Sequence, residues 1–103
     1  EETRESVTVG VAYGTDVQLV KSLLIKAVNS SSKVISKPGP TVYFTNFGDS
    51  ALEFKVVFTL NNSFEAATTQ SDIRFKIDAL FRENKISIPF PQRDVHLYQQ
   101  KEV

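Results

Sequence analysis

Strand-like and helix-like segments alternate along this chain in the order β-α-β-β-α-β. That order predicts an α+β fold of the ferredoxin-like βαββαβ sandwich type, with a four-stranded antiparallel sheet and two helices on one face. Three observations carry the prediction. "SVTVGVAY" (6–13) and "ALEFKVVFTL" (51–60) alternate apolar and polar residues at a period of two. Segments 17–28 and 73–81 instead repeat apolar residues every three or four positions. Clusters of Gly, Pro, Asn and Ser separate these segments. The expected strand order is 4-1-3-2, with strands 1 and 3 as parallel neighbours linked by a right-handed crossover.

In the first strand Val7, Val9, Val11 and Tyr13 face one way, against Ser6, Thr8, Gly10 and Ala12. Gly14 breaks it. Thr15 is the expected N-cap of a helix over 16–29, with Gln18 completing a capping box and Asp16 favouring the positive helix end. Val17, Val20, Leu23, Leu24, Ala27 and Val28 form that helix's apolar stripe. "NSSSK" ends it, and "SKPGP" is a surface connection.

"TVYFTNF" and "ALEFKVVFTL" read as a hairpin turning at "GDS". On the second of these strands Leu52, Phe54, Val56, Phe58 and Leu60 face the core. Asn62 or Ser63 caps a second helix over roughly 64–84, whose stripe is Ile73, Ile77, Leu80 and Phe81. Asp72 with Lys76 and Asp78 with Arg82 are acid-before-base pairs four residues apart on its outside. The final strand is expected in "DVHLYQ", with Val95 and Leu97 inward.

Size and composition bound the function. A chain of 103 residues is read as a single domain, 1–103. Its 12 basic and 12 acidic residues cancel and are evenly spread, so no basic face announces nucleic acid. A net charge near zero weakly favours association. Without cysteine there is no disulfide, thiolate metal site or thiol nucleophile. No apolar run approaches the length of a membrane span, and "EETRES" shows no signal peptide.

Catalytic patterns are missing as well. His96 is the single histidine, has no carboxylate cluster nearby, and is read as structural. Gly14-Thr15-Asp16 at a helix start is read as a cap rather than an anion site. No phosphate loop, dinucleotide fingerprint or Ser-His-Asp set is present, and no cofactor or metal is expected. The RNA-recognition module shares this strand order, but it needs exposed basic and aromatic residues on its central strands. The outward positions here are Glu53, Lys55, Val57 and Thr59.

The unusual feature is outward apolar surface. Strict alternation puts Tyr43, Phe47, Val57 and Tyr98 opposite the core face of their strands. Phe75 lies about 200° around its helix from Ile73 and Ile77. Single exposed apolar residues are ordinary, whereas several together mark a surface covered by another chain or domain. These five residues are the candidate subunit or domain interface. A second feature is "ISIPFPQ", where Ile86, Pro89, Phe90, Pro91 and Gln92 form a stiff extended segment after the second helix. It either seats Ile86 and Phe90 against the helix layer while withholding edge donors, or is simply a rigid connection.

Three stretches together, "VGVAYGTDVQLVKSLL", "FGDSALEF" and "SDIRFKIDALFRENKISIPFPQRDVHL", resemble the C-terminal cytoplasmic domain of the small-conductance mechanosensitive channel family. The resemblance runs from about Val7 to Tyr98, and its last segment, with I-P-F-P-Q-R-D, is the most specific. It implies a channel in the cell (inner) membrane that opens under bilayer tension to release solutes in hypoosmotic shock. It also implies identical subunits, typically seven, whose C-terminal domains form a hollow cytoplasmic vestibule. The transmembrane helices and a β-domain would precede residue 1, so membrane contact would come only through those segments. The adjacent β-domain would be a second partner. "YQQKEV" shows no clear strand for a terminal barrel.

The residues leave two function classes open. One is a non-catalytic assembly and vestibule domain of such a channel. The other is a free-standing ferredoxin-like module binding a small ligand between subunits.

Overall fold

The computed structural model describes residues 2–90. Strand β1 spans Thr3–Val11, helix α1 Val17–Asn29, strand β2 Thr41–Phe47 and strand β3 Leu52–Leu60. A 3-10 turn at Ser63–Glu65 leads into helix α2, Ala66–Glu83. Among the described residues the sheet has three strands in the order β1-β3-β2. The expected fourth strand, 94–99, lies outside the described residues.

Strand β3 pairs antiparallel with both neighbours, from Val11 opposite Leu52 to Thr3 opposite Leu60 on one side, and with Thr41–Phe47 on the other. This corrects the expectation of parallel strands 1 and 3. The parallel pair is β1 and β2, held apart by β3, because each runs against β3. Joining parallel strands needs a long crossover, and α1 supplies it.

One apolar cluster lies between the sheet and the helices. The inward phase of β3 (Leu52, Phe54, Val56, Phe58, Leu60) is wholly buried, together with Val7 and Val11 of β1. Helix α1 contributes Val20, Leu23, Leu24, Ala27 and Val28, and α2 contributes Ile73, Ile77, Leu80 and Phe81. Both amphipathic stripes thus close on the same sheet face, α1 over β2 and β3, α2 beside β1. Thr69 joins the buried face of α2, and the burial stripe begins there, one turn before Ile73.

Helix ends obey local chemistry. Asp16, not Thr15, is the N-cap of α1: its carboxylate accepts from the backbone N–H groups of Gln18 and Leu19 at 3.0 and 3.2 Å. The Thr15 hydroxyl donates instead to the Ala12 carbonyl at 2.6 Å. Gly14, at φ +92°, makes the turn between β1 and α1, a conformation natural to glycine. Asn62 caps the second helical segment by accepting from Phe64 N–H at 3.0 Å. On the outside of α2, Asp78 accepts from Arg82 at 2.8 Å, which raises the guanidinium's pKa. Asp72 and Lys76 form no ion pair among the described residues.

Helix α2 ends in a Schellman motif. Ile86 N–H donates to the Phe81 carbonyl at 2.8 Å and Lys85 N–H to Arg82 at 3.2 Å. The residue between helix and exit, Lys85, sits at φ +58°, where glycine is the usual occupant.

Candidate functional site

The four candidate interface residues among those described do not share one surface. Tyr43 stands opposite Lys55, and Val57 lies between Ser6 and Thr41, all on the helix-free face of the sheet. Tyr43 is about half exposed and Val57 partly buried. Around them the face is polar: Thr8 beside Lys55, Gly10 beside Glu53, and Asn46 beside Glu53. Phe75 projects from the outer side of α2 and is 75% exposed. Tyr98 lies outside the described residues.

Phe47 departs most from expectation. The β2–β3 register shifts between Phe44 and Asn46, so that Asn46 pairs with Glu53 and Phe47 with Leu52. Directly opposed residues point to the same side of a sheet. Phe47 therefore joins Leu52 and Phe54 on the helix side, and the helix-free position goes to Asn46. Thr45 is the extra residue, and its hydroxyl donates to the Glu53 carbonyl at 3.1 Å. Phe44 stacks on the buried Phe54 with centroids 4.7 Å apart, and Phe47 lies 4.8 Å from Phe44. The result is an aromatic ridge at the β2 edge, anchored in the core at Phe54 and 73% exposed at Phe47.

The hairpin that carries this ridge is tied down at its tip. Tyr13 donates its hydroxyl to the Gly48 carbonyl at 2.5 Å, and Gly48 N–H donates to Ala51 at 2.8 Å. Gly48 is buried, and an added Cβ would approach the Ala51 carbonyl to 2.9 Å and collide with the Glu53 carboxylate.

At the opposite edge, β1 and α2 leave an apolar groove of about 350 Å³. Val7, Val9 and Ile77 form its floor, Ile88 a wall, and Arg74 and Asp78 its rim. Ser87 bounds the end of this edge by accepting from Ala12 N–H at 3.0 Å. The Gln70 side chain donates to the Ser6 carbonyl at 2.8 Å, closing the other end. If the Ala12–Ser87 register continued antiparallel, Pro89 would fall opposite Gly10 and Pro91 opposite Thr8. Both are positions where a paired strand has to donate an N–H, which proline lacks. In the segment itself Ile86 is partly buried against the core, as expected. Phe90 is 84% exposed, so it does not pack on the helix layer as the sequence suggests. Pro89 is half-buried, and Pro91 and Gln92 lie outside the described residues.

Among the described residues no group of three or more His, Cys, Asp or Glu could hold a metal ion. No described helix is long and apolar enough to cross a membrane. What the geometry provides is a rigid sandwich with apolar, sterically distinct surfaces at its two sheet edges.

Comparison with known proteins gives the class. Residues 5–88 match the family model described as "Mechanosensitive ion channel MscS, C-terminal". The chain belongs to the MscS family of mechanosensitive channels and corresponds to their C-terminal domain. It is 37% identical over 99 residues to the mechanosensitive channel MscK of Escherichia coli K12, covering 96% of this chain and 9% of that one. Against the small-conductance mechanosensitive channel of Edwardsiella ictaluri it is 34% identical over 96 residues, covering 93% and 33%. Among solved structures it superposes on Helicobacter pylori MscS in the closed state with a TM-score of 0.78 at 25% identity, covering 90% of this chain and 37% of that one. The chain thus spans from 9% to 37% of the length of these channels.

Proposed function

We propose that this chain is the cytoplasmic assembly and vestibule domain of a tension-gated channel in the cell membrane, one that releases solutes during hypoosmotic shock. The observation that carries the reading is the match of residues 5–88 to the C-terminal domain of a mechanosensitive channel family. In this reading the domain performs no catalysis. It meets copies of itself in a ring, seven by family habit, and meets a β-domain that precedes it in the parent chain. The exposed apolar residues at its surface support docking of this kind.

The contacts in such a ring are made between domains already tethered by the rest of the channel. Tethering raises effective concentration, so contacts too weak to hold free domains together suffice. The isolated domain is therefore expected to be monomeric at micromolar concentration, and sedimentation velocity over a wide range checks this. A decisive test uses the full-length parent protein in cells lacking other mechanosensitive channels. It should restore survival of a sudden drop in osmolarity and give tension-activated currents in membrane patches. A parent protein with neither property would overturn the reading.

A further inference from the structure

The geometry points to a head-to-tail contact between copies of this domain, in which the Phe44–Phe47 ridge of one copy enters the Val7–Val9–Ile77–Ile88 groove of the next. The inference deepens the assembly reading above and rests on it. Strand order sets the directions. With β3 central, β2 and β1 are the two edges of the described sheet, so ridge and groove face opposite ways. A domain cannot bring its own ridge to its own groove, but its neighbour can. Contacts between two different patches are heterologous, and they close into rings when the rotation permits.

Shape and charge agree with this. The ridge is a convex aromatic pair backed by a buried ring, so its exposed face is held in place rather than mobile. Preorganised aromatic anchors of this kind dominate protein interfaces. The groove is concave, apolar on its floor, and large enough for a phenyl ring. Beside Phe47 the hairpin tip carries Asp49, exposed. On the groove rim Arg74 has no ion-pair partner among the described residues, while Asp78 is taken up by Arg82. The ridge side is thus acidic where the groove side is basic.

The chain's own continuation is the competing occupant. The prolines disfavour it: a strand running on from Ser87 in register would need donors from Pro89 and Pro91.

The test uses the full-length parent protein, with any native cysteines replaced; this domain contributes none. Phe47→Cys and Ile88→Cys are placed in one chain at two exposed positions and treated with a short bifunctional maleimide. The expected result is a ladder of covalent species from dimer upward, with neither single variant cross-linking. Arg74→Glu should cut the yield about two- to fivefold, as for an exposed ion pair, and Asp49→Arg should restore it. Four results would overturn the inference. Dimers from Phe47→Cys alone would mean like edges meet. An assembled oligomer by mass with no 47–88 link would mean other surfaces assemble it, leaving the channel reading intact. A link within one chain between Arg74→Cys, on the groove rim, and Leu97→Cys would show the tail fills the groove. A parent protein that stays monomeric would end both readings.

Discussion

Ile86 closes the end of α2 by donating its backbone N–H to Phe81 across five residues, at 2.8 Å. Both side chains also join the same core, Phe81 almost fully buried and Ile86 packed against the cluster it belongs to. Backbone and side chains thus agree on one exit direction, and the chain is aimed at the β1 edge.

That exit depends on Lys85 in a left-handed conformation at φ +58°. The left-handed region disfavours any residue with a Cβ. Lys85→Gly should therefore stabilise the domain by about 0.5–1 kcal/mol, the relief outweighing the extra freedom of glycine in the unfolded chain. Urea titration of wild type and variant side by side reads the difference. A loss of stability would mean the lysine side chain makes a contact worth more than the backbone relief.

Phe81 and Phe75 lie on one helix with opposite environments, 1% and 75% exposed. Phe81→Ala should cost about 3–5 kcal/mol, from lost burial plus the cavity left behind. Phe75→Ala should change stability by less than about 0.5 kcal/mol in the isolated domain. Equal shifts in denaturation midpoint would contradict the assigned helix face.

At the start of α1, Asp16→Ala removes the acceptor for two N–H groups and should cost about 1 kcal/mol. Thr15→Ala should cost less, since it breaks only a turn hydrogen bond to Ala12. Thermal melts of the two variants rank them, and the reverse order would return the cap to Thr15.

Gly48 is the tightest position of the hairpin. Gly48→Ala should destabilise by about 1–3 kcal/mol through overpacking against Ala51 and Glu53. Glu53→Ala in the same background should recover part of the loss by removing one of the two clashing groups. Absence of any recovery would locate the strain in the Ala51 backbone.

The core was legible in the sequence because burial and periodicity coincide there. Every inward residue expected on β3 is buried, and so is each stripe residue expected on α2; α1 departs only at Val17, which is partly buried. Three features were not legible, each for a physical reason. The cap lies at Asp16 rather than Thr15 because the Thr15 hydroxyl turns back to the Ala12 carbonyl, a choice between two adjacent capping residues that spacing does not announce. The left-handed turn at Lys85 lacks the glycine that normally signals it, although the helix itself ends within a residue of the expected 84. Phe47 changed faces because strict alternation runs straight through a bulge that no local pattern marks. The candidate surface inherits that last error. The aromatic content was visible, but its division between two faces depends on one irregular pairing.

The odd residue at Thr45 makes chain length matter differently on the two strands of the hairpin. Removing Thr45 would join Phe44 directly to Asn46, and plain alternation would then keep Phe47 on the helix side. The ridge would persist on a straighter strand. Adding one residue to β3 between Glu53 and Phe54 would also give every β2 position a partner, but it would leave the added residue unmatched against β1, where Gly10 and Val9 already oppose Glu53 and Phe54. That repair, however, would swing Phe47 and Leu52 out to the helix-free face and drive the Glu53 carboxylate inward. A gap in β2 is therefore silent at this edge, whereas an insertion facing it moves what is sticky to the other side of the molecule. Among relatives, the length of β3 would be inherited more strictly than the length of β2.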